Sequence, residues 1–271
     1  MTLEKRADAE LADLSSTWDS LGETDAMWAI YSADPTKLGG KWDPEEFFAT
    51  GRSEIDAVVA TLQSLGARPP FASVLDFGCG VGRLSRALAT HSARVTGVDI
   101  APSMIERAKQ LNPDESRFRW VLNQDPDLRV FGDGEFDLIY TNIVLQHMPT
   151  RFAKAYVAEF FRIAKPGGWV VFQVPDTDTL TLKRKMANFV YNRVVPHVPG
   201  PITLAMRRRR YPNASIEQLR GLRFMQMYGM GRREVTAAVE SAAGEVRRAD
   251  VNDDAGAGWD SVRYYALKTT H

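Results

Sequence analysis

The residues best suited to chemistry lie in VLDFGCGVGRLS, residues 74–85. Here an apolar run ends at Asp76 and a helical stretch begins near Arg83. Between them stand three glycines at alternate positions, Gly78, Gly80 and Gly82. Glycines at a strand-to-helix turn let the backbone pass close to a ligand at the helix N-terminus. The dinucleotide fingerprint G-x-G-x-x-G would need glycine where Arg83 stands, so the segment predicts a ligand site but counts against a dehydrogenase.

A second carboxylate fits the same site. Asp99 ends the next β-rich run, 19 residues after Gly80. A carboxylate at the end of the second strand can accept hydrogen bonds from both hydroxyls of a ribose. The two motifs together predict a site for a ligand that carries a ribose.

The elements that must position these residues alternate from residue 72 to residue 174. Helical stretches separate five β-rich runs, at residues 72–77, 94–100, 117–123, 136–142 and 169–174. This alternation predicts a parallel sheet with helices on both faces. Lys165-Pro-Gly-Gly168 is expected to break the helix before the fifth run. Two later runs, 244–251 and 261–268, predict a hairpin at one edge of the sheet.

The remaining segments flank this alternation, and we expect one domain over residues 1–271. Residues 1–66 are rich in aromatics and predict a docked helical cap. Residues 67–175 form the core, and 231–271 supply a C-terminal helix and the hairpin. Residues 176–230 contain four prolines and a predicted helix over 180–195, which indicates an insertion that builds a lid or substrate site.

Composition excludes several classes of protein. A chain of 271 residues with 44% hydrophobic residues can bury a core without disulfides or structural metals. The single cysteine, Cys79, cannot form an internal disulfide, and the sequence has no CxxC or Cys/His cluster, so no metal is expected. The sequence shows neither a signal peptide nor an apolar run of about 18–20 residues. These features predict a cytoplasmic protein, soluble or at most peripheral to a membrane.

The charge is neutral overall but unevenly distributed. Residues 1–60 hold thirteen acidic and five basic residues, whereas residues 183–233 hold twelve basic residues and one acidic residue. A basic block of this kind attracts phosphate, anionic lipid or nucleic acid. The alternative is that it faces the acidic N-terminal segment of the same chain.

Four separate motifs carry a family resemblance. They are Asp76-Phe-Gly78-Cys-Gly80-Val-Gly82, Val98-Asp99, Phe136-Asp137-Leu-Ile-Tyr140 and Lys165-Pro-Gly-Gly168. In order and spacing, residues 72–175 resemble the class I S-adenosylmethionine-dependent methyltransferases. The resemblance implies a Rossmann-like, mostly parallel seven-stranded sheet with an antiparallel last strand. It also implies S-adenosylmethionine as the cofactor.

The resemblance assigns residues to that cofactor. The loop that contains Asp76, Gly78, Cys79, Gly80 and Gly82 is expected along its methionine portion. Asp99 would bind the ribose hydroxyls, while Ile100 and Met104 would pack near the adenine. Cys79 is interpreted as a small residue between two glycines, not as a nucleophile.

Other polar residues have roles that the resemblance leaves open. Asn123 and Asp125 both qualify for the contact to the adenine amino group, and Asn142 would lie near the sulfonium. For each of these residues the alternative is a turn or cap. His147 is the candidate base, because an unperturbed histidine suits proton removal near neutral pH. Packing under the N-terminal cap, or positioning the substrate, are the alternatives for His147.

These observations predict a methyltransferase for a small molecule, with O-methylation preferred and a glycoside, glycolipid or polyketide-like acceptor. Asp176 and Asp178 could hold a divalent metal together with oxygens of the substrate. Two carboxylates separated by one residue are weak evidence for such a site, and no metal is predicted. An RNA methyltransferase is one alternative, although the basic block lacks the regular stacking aromatics of RNA-binding modules. Another is a membrane- or partner-docking protein that keeps the cofactor fold. The helix predicted over 180–195 has one apolar face, so it would either pack on its own domain or contact an anionic membrane, the latter through residues 180–210.

Overall fold

The structure, a computed structural model, describes residues 3–32, 34–194, 198, 200–212, 214–221, 225–256 and 259–270. Its strands in chain order are β1 (Phe71–Phe77), β2 (Ser92–Asp99), β3 (Phe118–Leu122), β4 (Phe136–Thr141), β5 (Ala164–Pro175), β6 (Gly244–Asn252) and β7 (Ser261–Lys268). Its α-helices are α1 (Leu3–Ile30), α2 (Pro44–Ser64), α3 (Arg83–Leu88), α4 (Pro102–Leu111), α5 (Thr150–Ile163), α6 (Leu182–Val194), α7 (Gly200–Arg210), α8 (Ile216–Gly221) and α9 (Arg232–Ser241). None of the helices in these ranges is long and apolar enough to cross a membrane.

The seven strands form one sheet in the order β3-β2-β1-β4-β5-β7-β6. The first five strands are parallel to one another, while β7 runs antiparallel to both β5 and β6. This arrangement confirms the predicted fold class, with the hairpin of β6 and β7 at one edge of the sheet. Because the chain reverses its direction across the sheet between β1 and β4, a crevice is expected at the carboxyl ends of these strands.

Both faces of the sheet are covered, as the continuous apolar runs require. On β1, Leu75 packs with the helices α5 and α9, whereas Val74 packs with α2 and α3 on the other face. Both residues are at most 1% exposed. A strand buried on both faces has no polar side to alternate with, which explains why its sequence reads as an apolar run.

Two expected boundaries differ from the structure. Helix α5 ends at Ile163, just before Lys165–Gly168 as expected, but β5 already begins at Ala164, which pairs with Phe136, and not at residue 169. The pairing with β4 shifts register between Phe136 and Leu138, so an irregular pairing accommodates the Pro-Gly-Gly sequence. In the insertion, the helix expected over 180–195 spans Leu182–Val194, and residue 195 lies outside the described residues. Sequence periodicity did not predict α7 and α8.

The N-terminal helices α1 and α2 pack against the core. Trp28 of α1, Phe47 and Phe48 of α2 and Trp42 of the connection between them form a cluster with residues of the loop after β1 and with Met104 of α4. Helix α1 bends at Asp25, whose carboxylate accepts hydrogen bonds from the backbone N–H groups of Gly39 and Gly40 at 2.7 and 2.9 Å. The bend lets α1 pass over the carboxyl ends of the central strands.

Candidate functional site

A cavity lies where the topology predicts it, at the carboxyl ends of β1, β2 and β4. Leu11, Leu14 and Trp18 of α1 form part of its lining. Helix α1 is held there by Ser15, whose hydroxyl donates to the carbonyl of Ile100 at 3.0 Å, and by Asp19, which accepts from the N–H of Ser103 at 2.7 Å. The N-terminal segment is therefore a cover for this site.

The glycine loop forms one wall of the cavity. Gly78 and Gly80 both have positive φ, +73° and +52°. A Cβ on Gly78 would come within 2.4 Å of Val144, and one on Gly80 would come equally close to Ile30. Conformation and space thus both require glycine at these positions, as close backbone approach to a ligand demands.

Asp99 lies in the cavity wall at the end of β2. Its carboxylate accepts hydrogen bonds from the N–H of Gly80 at 2.8 Å and from the N–H of Ala101 at 3.0 Å. Burial raises the pKa of Asp99, and the two backbone donors act against that rise. One carboxylate therefore ties the glycine loop to β2 and still reaches the cavity.

Three of the remaining residues assigned to the adenine line the cavity and one does not. Ile100, Met104 and Asn123 are in the lining. The amide nitrogen of Asn123 donates to the carbonyl of Asp127 at 2.8 Å, so this side chain also closes a turn. Asp125 lies outside the lining, in a shallow groove on the outer side of α1. Between the two candidates, the structure places Asn123 at the cavity.

Asp76 and Gly82 also lie outside the cavity lining. The carboxylate of Asp76 is buried under the loop and accepts from the hydroxyl of Ser85 at 2.5 Å. Burial raises the pKa of Asp76 to about 7. Gly82 precedes α3 with φ +87°, and a Cβ there would meet Asn112 and Trp120. Asp76 and Gly82 therefore support the loop on the side that faces away from the cavity. Cys79 lies in the cavity lining, and burial raises the pKa of its thiol.

A buried charged cluster, which the motifs did not reveal, borders the cavity beside β4. Its centre is Glu54 of α2, whose carboxylate accepts from Arg83 at 2.9 Å and from the hydroxyl of Tyr140 at 2.6 Å. Arg263 of β7 lies 3.7 Å from Glu54 and 2.6 Å from Asp254. Burial acts to raise the pKa of Glu54, but the two arginines outweigh it and hold that pKa below its ordinary value. Glu54 is therefore charged at neutral pH.

Asn142, just after β4, is oriented by this cluster. Its amide nitrogen donates to Glu54 at 2.7 Å, and Asp254 is a second hydrogen-bond partner of the side chain. Because carboxylates only accept, both contacts are made by the NH₂ group of Asn142. Neither contact uses the amide oxygen. That oxygen, Oδ1, is buried and has no hydrogen-bond partner among the described residues. Asn142 lines the cavity, and its unpaired acceptor lies buried at the edge of the site.

His147 also lines the cavity, and both of its ring nitrogens have neighbours. Nδ1 lies 3.4 Å from the carbonyl oxygen of Gln226, and Nε2 lies 3.2 Å from the amide nitrogen of Gln146. A carbonyl can only accept and an amide NH₂ can only donate, so Nδ1 carries the hydrogen and Nε2 the lone pair. Trp18 of α1 packs edge-on to the ring at 5.5 Å. Burial lowers the pKa of His147 to about 4, so the ring is neutral at pH 7.

The two aspartates after β5 take part in other contacts. Asp176 is fully buried and accepts from Nε of Arg232 at 2.6 Å. Asp178 accepts from the backbone N–H of Arg232 at 2.9 Å, at the start of α9. Over the described ranges, the structure gathers no group of three or more His, Cys, Asp or Glu side chains that could hold a metal ion.

Comparison with known families agrees with this geometry. A model of the methyltransferase domain family matches residues 75–172. Residues 75–172 therefore form a methyltransferase domain, which confirms the resemblance of the motifs to the class I S-adenosylmethionine-dependent methyltransferases.

Several named proteins are similar to this chain. One is 2-methyl-6-phytyl-1,4-hydroquinone methyltransferase of Synechocystis sp., 35% identical over 150 residues that make up 54% of this chain and 46% of the relative. Another is a ubiquinone biosynthesis O-methyltransferase of Bordetella avium, 31% identical over 152 residues, which are 55% of this chain and 59% of the relative. The matches thus span about half the length of these curated relatives.

The fold is also similar to solved structures. The crystal structure of magnesium protoporphyrin IX methyltransferase from Synechocystis with bound SAH superposes with a TM-score of 0.61. The alignment covers 95% of this chain and 99% of that one at 19% identity. At this identity the similarity supports the fold, including the flanking helices, and not a shared substrate.

Proposed function

We propose that this protein transfers the methyl group of S-adenosylmethionine to an oxygen of a small molecule. One observation carries the proposal. A single cavity is lined by the glycine loop, by Asp99 and by Asn142, whose buried amide oxygen has no hydrogen-bond partner among the described residues. These are the groups expected for a ligand that has both a ribose and a cationic centre.

The residues present fit the cofactor. Asp99 offers carboxyl oxygens as acceptors for the ribose hydroxyls, and Ile100 and Met104 supply apolar contact for the adenine. Gly78 and Gly80 line the cavity, so their backbone is available to the ligand. The free oxygen of Asn142 suits a positively charged group. When bound, S-adenosylmethionine supplies an activated methyl group on a sulfonium, which is a good leaving group.

Given such a leaving group, the protein needs mainly to hold the acceptor in line and to exclude water. Helix α1 provides the exclusion, because Leu11, Leu14 and Trp18 cover the cavity. His147 is the proposed proton acceptor for the hydroxyl, since it is neutral at pH 7 and its Nε2 carries the lone pair. In the free protein Gln146 donates to that nitrogen, so the acceptor hydroxyl has to replace the Gln146 amide.

The acceptor is proposed to be amphipathic. The lining contributed by α1 and by the segment after β4 is mostly apolar, with Asn142 and His147 as polar groups. A hydroquinone methyltransferase and a ubiquinone biosynthesis O-methyltransferase are among the relatives, which supports an acceptor with a hydroxyl on an apolar body. Glycosides, glycolipids and polyketide-like molecules share this chemistry.

The proposal is tested by incubating the protein with S-adenosylmethionine, labelled in its methyl group, and with aqueous and lipid fractions of a cell extract. We expect a product that is heavier by one labelled methyl in place of hydrogen, found by mass spectrometry. The carbon shift of that methyl, measured by NMR, distinguishes a methoxy group from N- or C-methyl. Calorimetry provides the control: binding of NAD instead of S-adenosylmethionine would overturn the proposal.

A further inference from the structure

Helix α6 carries its apolar side chains on the outside of the protein. Leu182, Met186, Phe189, Val190 and Val194 are 75, 62, 69, 52 and 50% exposed. At about 100° per residue these five positions fall within an arc of about 140°. The helix thus has a mostly apolar face, interrupted by Lys183 and Arg193, that the rest of the described chain does not cover.

The opposite side of α6 is the side nearest to the protein. From residue 182 to residue 190, Asn188 is partly buried while the other side chains are exposed. Asn188 lies about 190° around the helix from the centre of the apolar face. An ordinary amphipathic surface helix buries its apolar face and exposes its polar face. Helix α6 leaves its apolar side chains exposed together with its bases, so its apolar face is available to a partner.

Helix α7 also exposes large apolar side chains together with basic ones. Ile202 and Met206 are 53 and 57% exposed, and Arg208 and Arg209 are exposed as well. Arg207 points inward, because its Nη1 donates to the carbonyl of Leu219 at 2.8 Å. The outward side of α7 therefore combines two large apolar residues with two arginines.

The charge around these helices is of one sign. Residues 179–216 contain eight Lys or Arg and neither Asp nor Glu. Acidic residues of the N-terminal segment pair with bases elsewhere: Glu46 with Lys37, Glu45 with Arg86 and Glu10 with Arg151. A second copy of this chain, docked face to face through the same helices, would bring like charges together. A partner with negative charge and an apolar interior fits both properties of the surface.

We propose that α6 and α7 dock on an anionic lipid bilayer. The docking surface consists of Leu182, Met186, Phe189, Val190, Ile202 and Met206, which enter the boundary between headgroups and acyl chains. The exposed bases Lys183, Lys185, Arg208 and Arg209 contact the headgroups, and their long stems allow the charged ends to reach the interface beside the inserted apolar side chains.

The insertion that carries this surface also returns to the candidate site. The carbonyl of Gln226 contacts His147, and the N–H of Tyr228 donates to the carbonyl of Gln146 at 2.8 Å. The segment that binds the membrane would therefore belong to the same insertion that contacts His147 at the cavity. The proposal goes beyond methyl transfer and does not depend on it, because binding to lipid can be measured without cofactor or acceptor.

The test is cosedimentation of the full chain with vesicles of phosphatidylcholine alone or mixed with phosphatidylglycerol. We expect binding to the mixed vesicles, and at least about tenfold weaker binding when salt is raised from low to about 1 M. Met186→Gln with Phe189→Gln should weaken binding by at least about tenfold. Arg208→Gln with Arg209→Gln should weaken it by about tenfold to thirtyfold.

The matched control is Arg247→Gln with Val251→Gln, which changes the same types of residue on β6, where Val251 is 59% exposed. Its binding should stay within about twofold of the unchanged protein. Circular dichroism and cofactor calorimetry verify that every variant is folded. Equal binding to both vesicle types, or equal binding by all variants, would overturn the proposal. So would a dimer in lipid-free solution that Phe189→Gln converts to monomer, because the occupant would then be a second copy.

Discussion

The polar groups of the cavity are held in two different ways on the two sides of β1. On the β2 side, Asp99 is fixed by the backbone N–H groups of Gly80 and Ala101, which belong to the loops after β1 and β2. On the β4 side, Asn142 is held by Glu54, 88 residues away, and His147 contacts Gln226, 79 residues away. The first side is a local motif, whereas the second exists only when α2 and the insertion are docked. Changes on the β2 side should therefore alter ligand affinity alone, and changes on the β4 side should alter turnover or stability.

The largest expected effect is on the β4 side. If His147 accepts the proton of the hydroxyl, His147→Ala should lower turnover by about 10²- to 10⁴-fold with little change in cofactor affinity. His91→Ala, at a histidine that pairs with Asp56 away from the cavity, is the control. Steady-state kinetics and calorimetry measure the two quantities. Near-normal turnover in the His147 variant would assign the residue to packing under α1.

The pH dependence sharpens the same prediction. Since burial lowers the pKa of His147 from 6.5 to about 4, turnover should be flat above about pH 5 and fall below it. Between pH 6.5 and 4 the unfolded chain binds this proton and the folded protein does not. The free energy of unfolding should therefore decrease as the pH falls through that range, by up to roughly 3 kcal/mol. His147→Ala should lack this contribution, which denaturant titrations at several pH values would show.

The second prediction concerns the buried cluster. Glu54→Gln removes the negative charge between Arg83 and Arg263, whose side chains are 3 and 14% exposed. Removing one partner of a buried ion pair costs about 3–5 kcal/mol, so we expect a loss of stability of that size. Glu46→Gln, also on α2, is a matched control. The side chain of Glu46 is 54% exposed in its pair with Lys37, and we expect a change of at most about 1 kcal/mol. Equal effects of the two substitutions on urea unfolding would contradict the role of Glu54 as an anchor.

The smallest expected effect is on the β2 side. Asp99→Ala should weaken S-adenosylmethionine binding by at least about tenfold, because charge-assisted hydrogen bonds contribute roughly 1.5–3 kcal/mol each. Asp125→Ala, at a neighbouring carboxylate outside the cavity lining, should change the affinity by less than about twofold. Calorimetry measures the affinity of both variants for S-adenosylmethionine and shows which of the two carboxylates contacts the cofactor. If Asp125→Ala has the stronger effect, the adenine lies farther toward α1 than the cavity lining indicates.

The sequence by itself determined the parts of this protein that depend on neighbouring residues. The run from Asp76 to Gly82 specifies a turn that only glycines can adopt at Gly78 and Gly80, and Asp99 ends the strand beside it. Apolar runs, separated by helices and followed by a hairpin, specified the parallel sheet and its antiparallel edge. These features were predictable because backbone conformation and strand burial leave a pattern within a few residues.

Tertiary structure alone decided how distant groups meet. The acidic Glu54 gives no sign in the sequence that it binds Arg83 and orients Asn142, since its partners lie 29 and 88 residues away. The apolar spacing of α6 predicts an amphipathic helix, but it leaves open whether that face is covered by the protein. Periodicity shows which side chains share a face, and the covering of that face depends on which elements the whole fold brings against it.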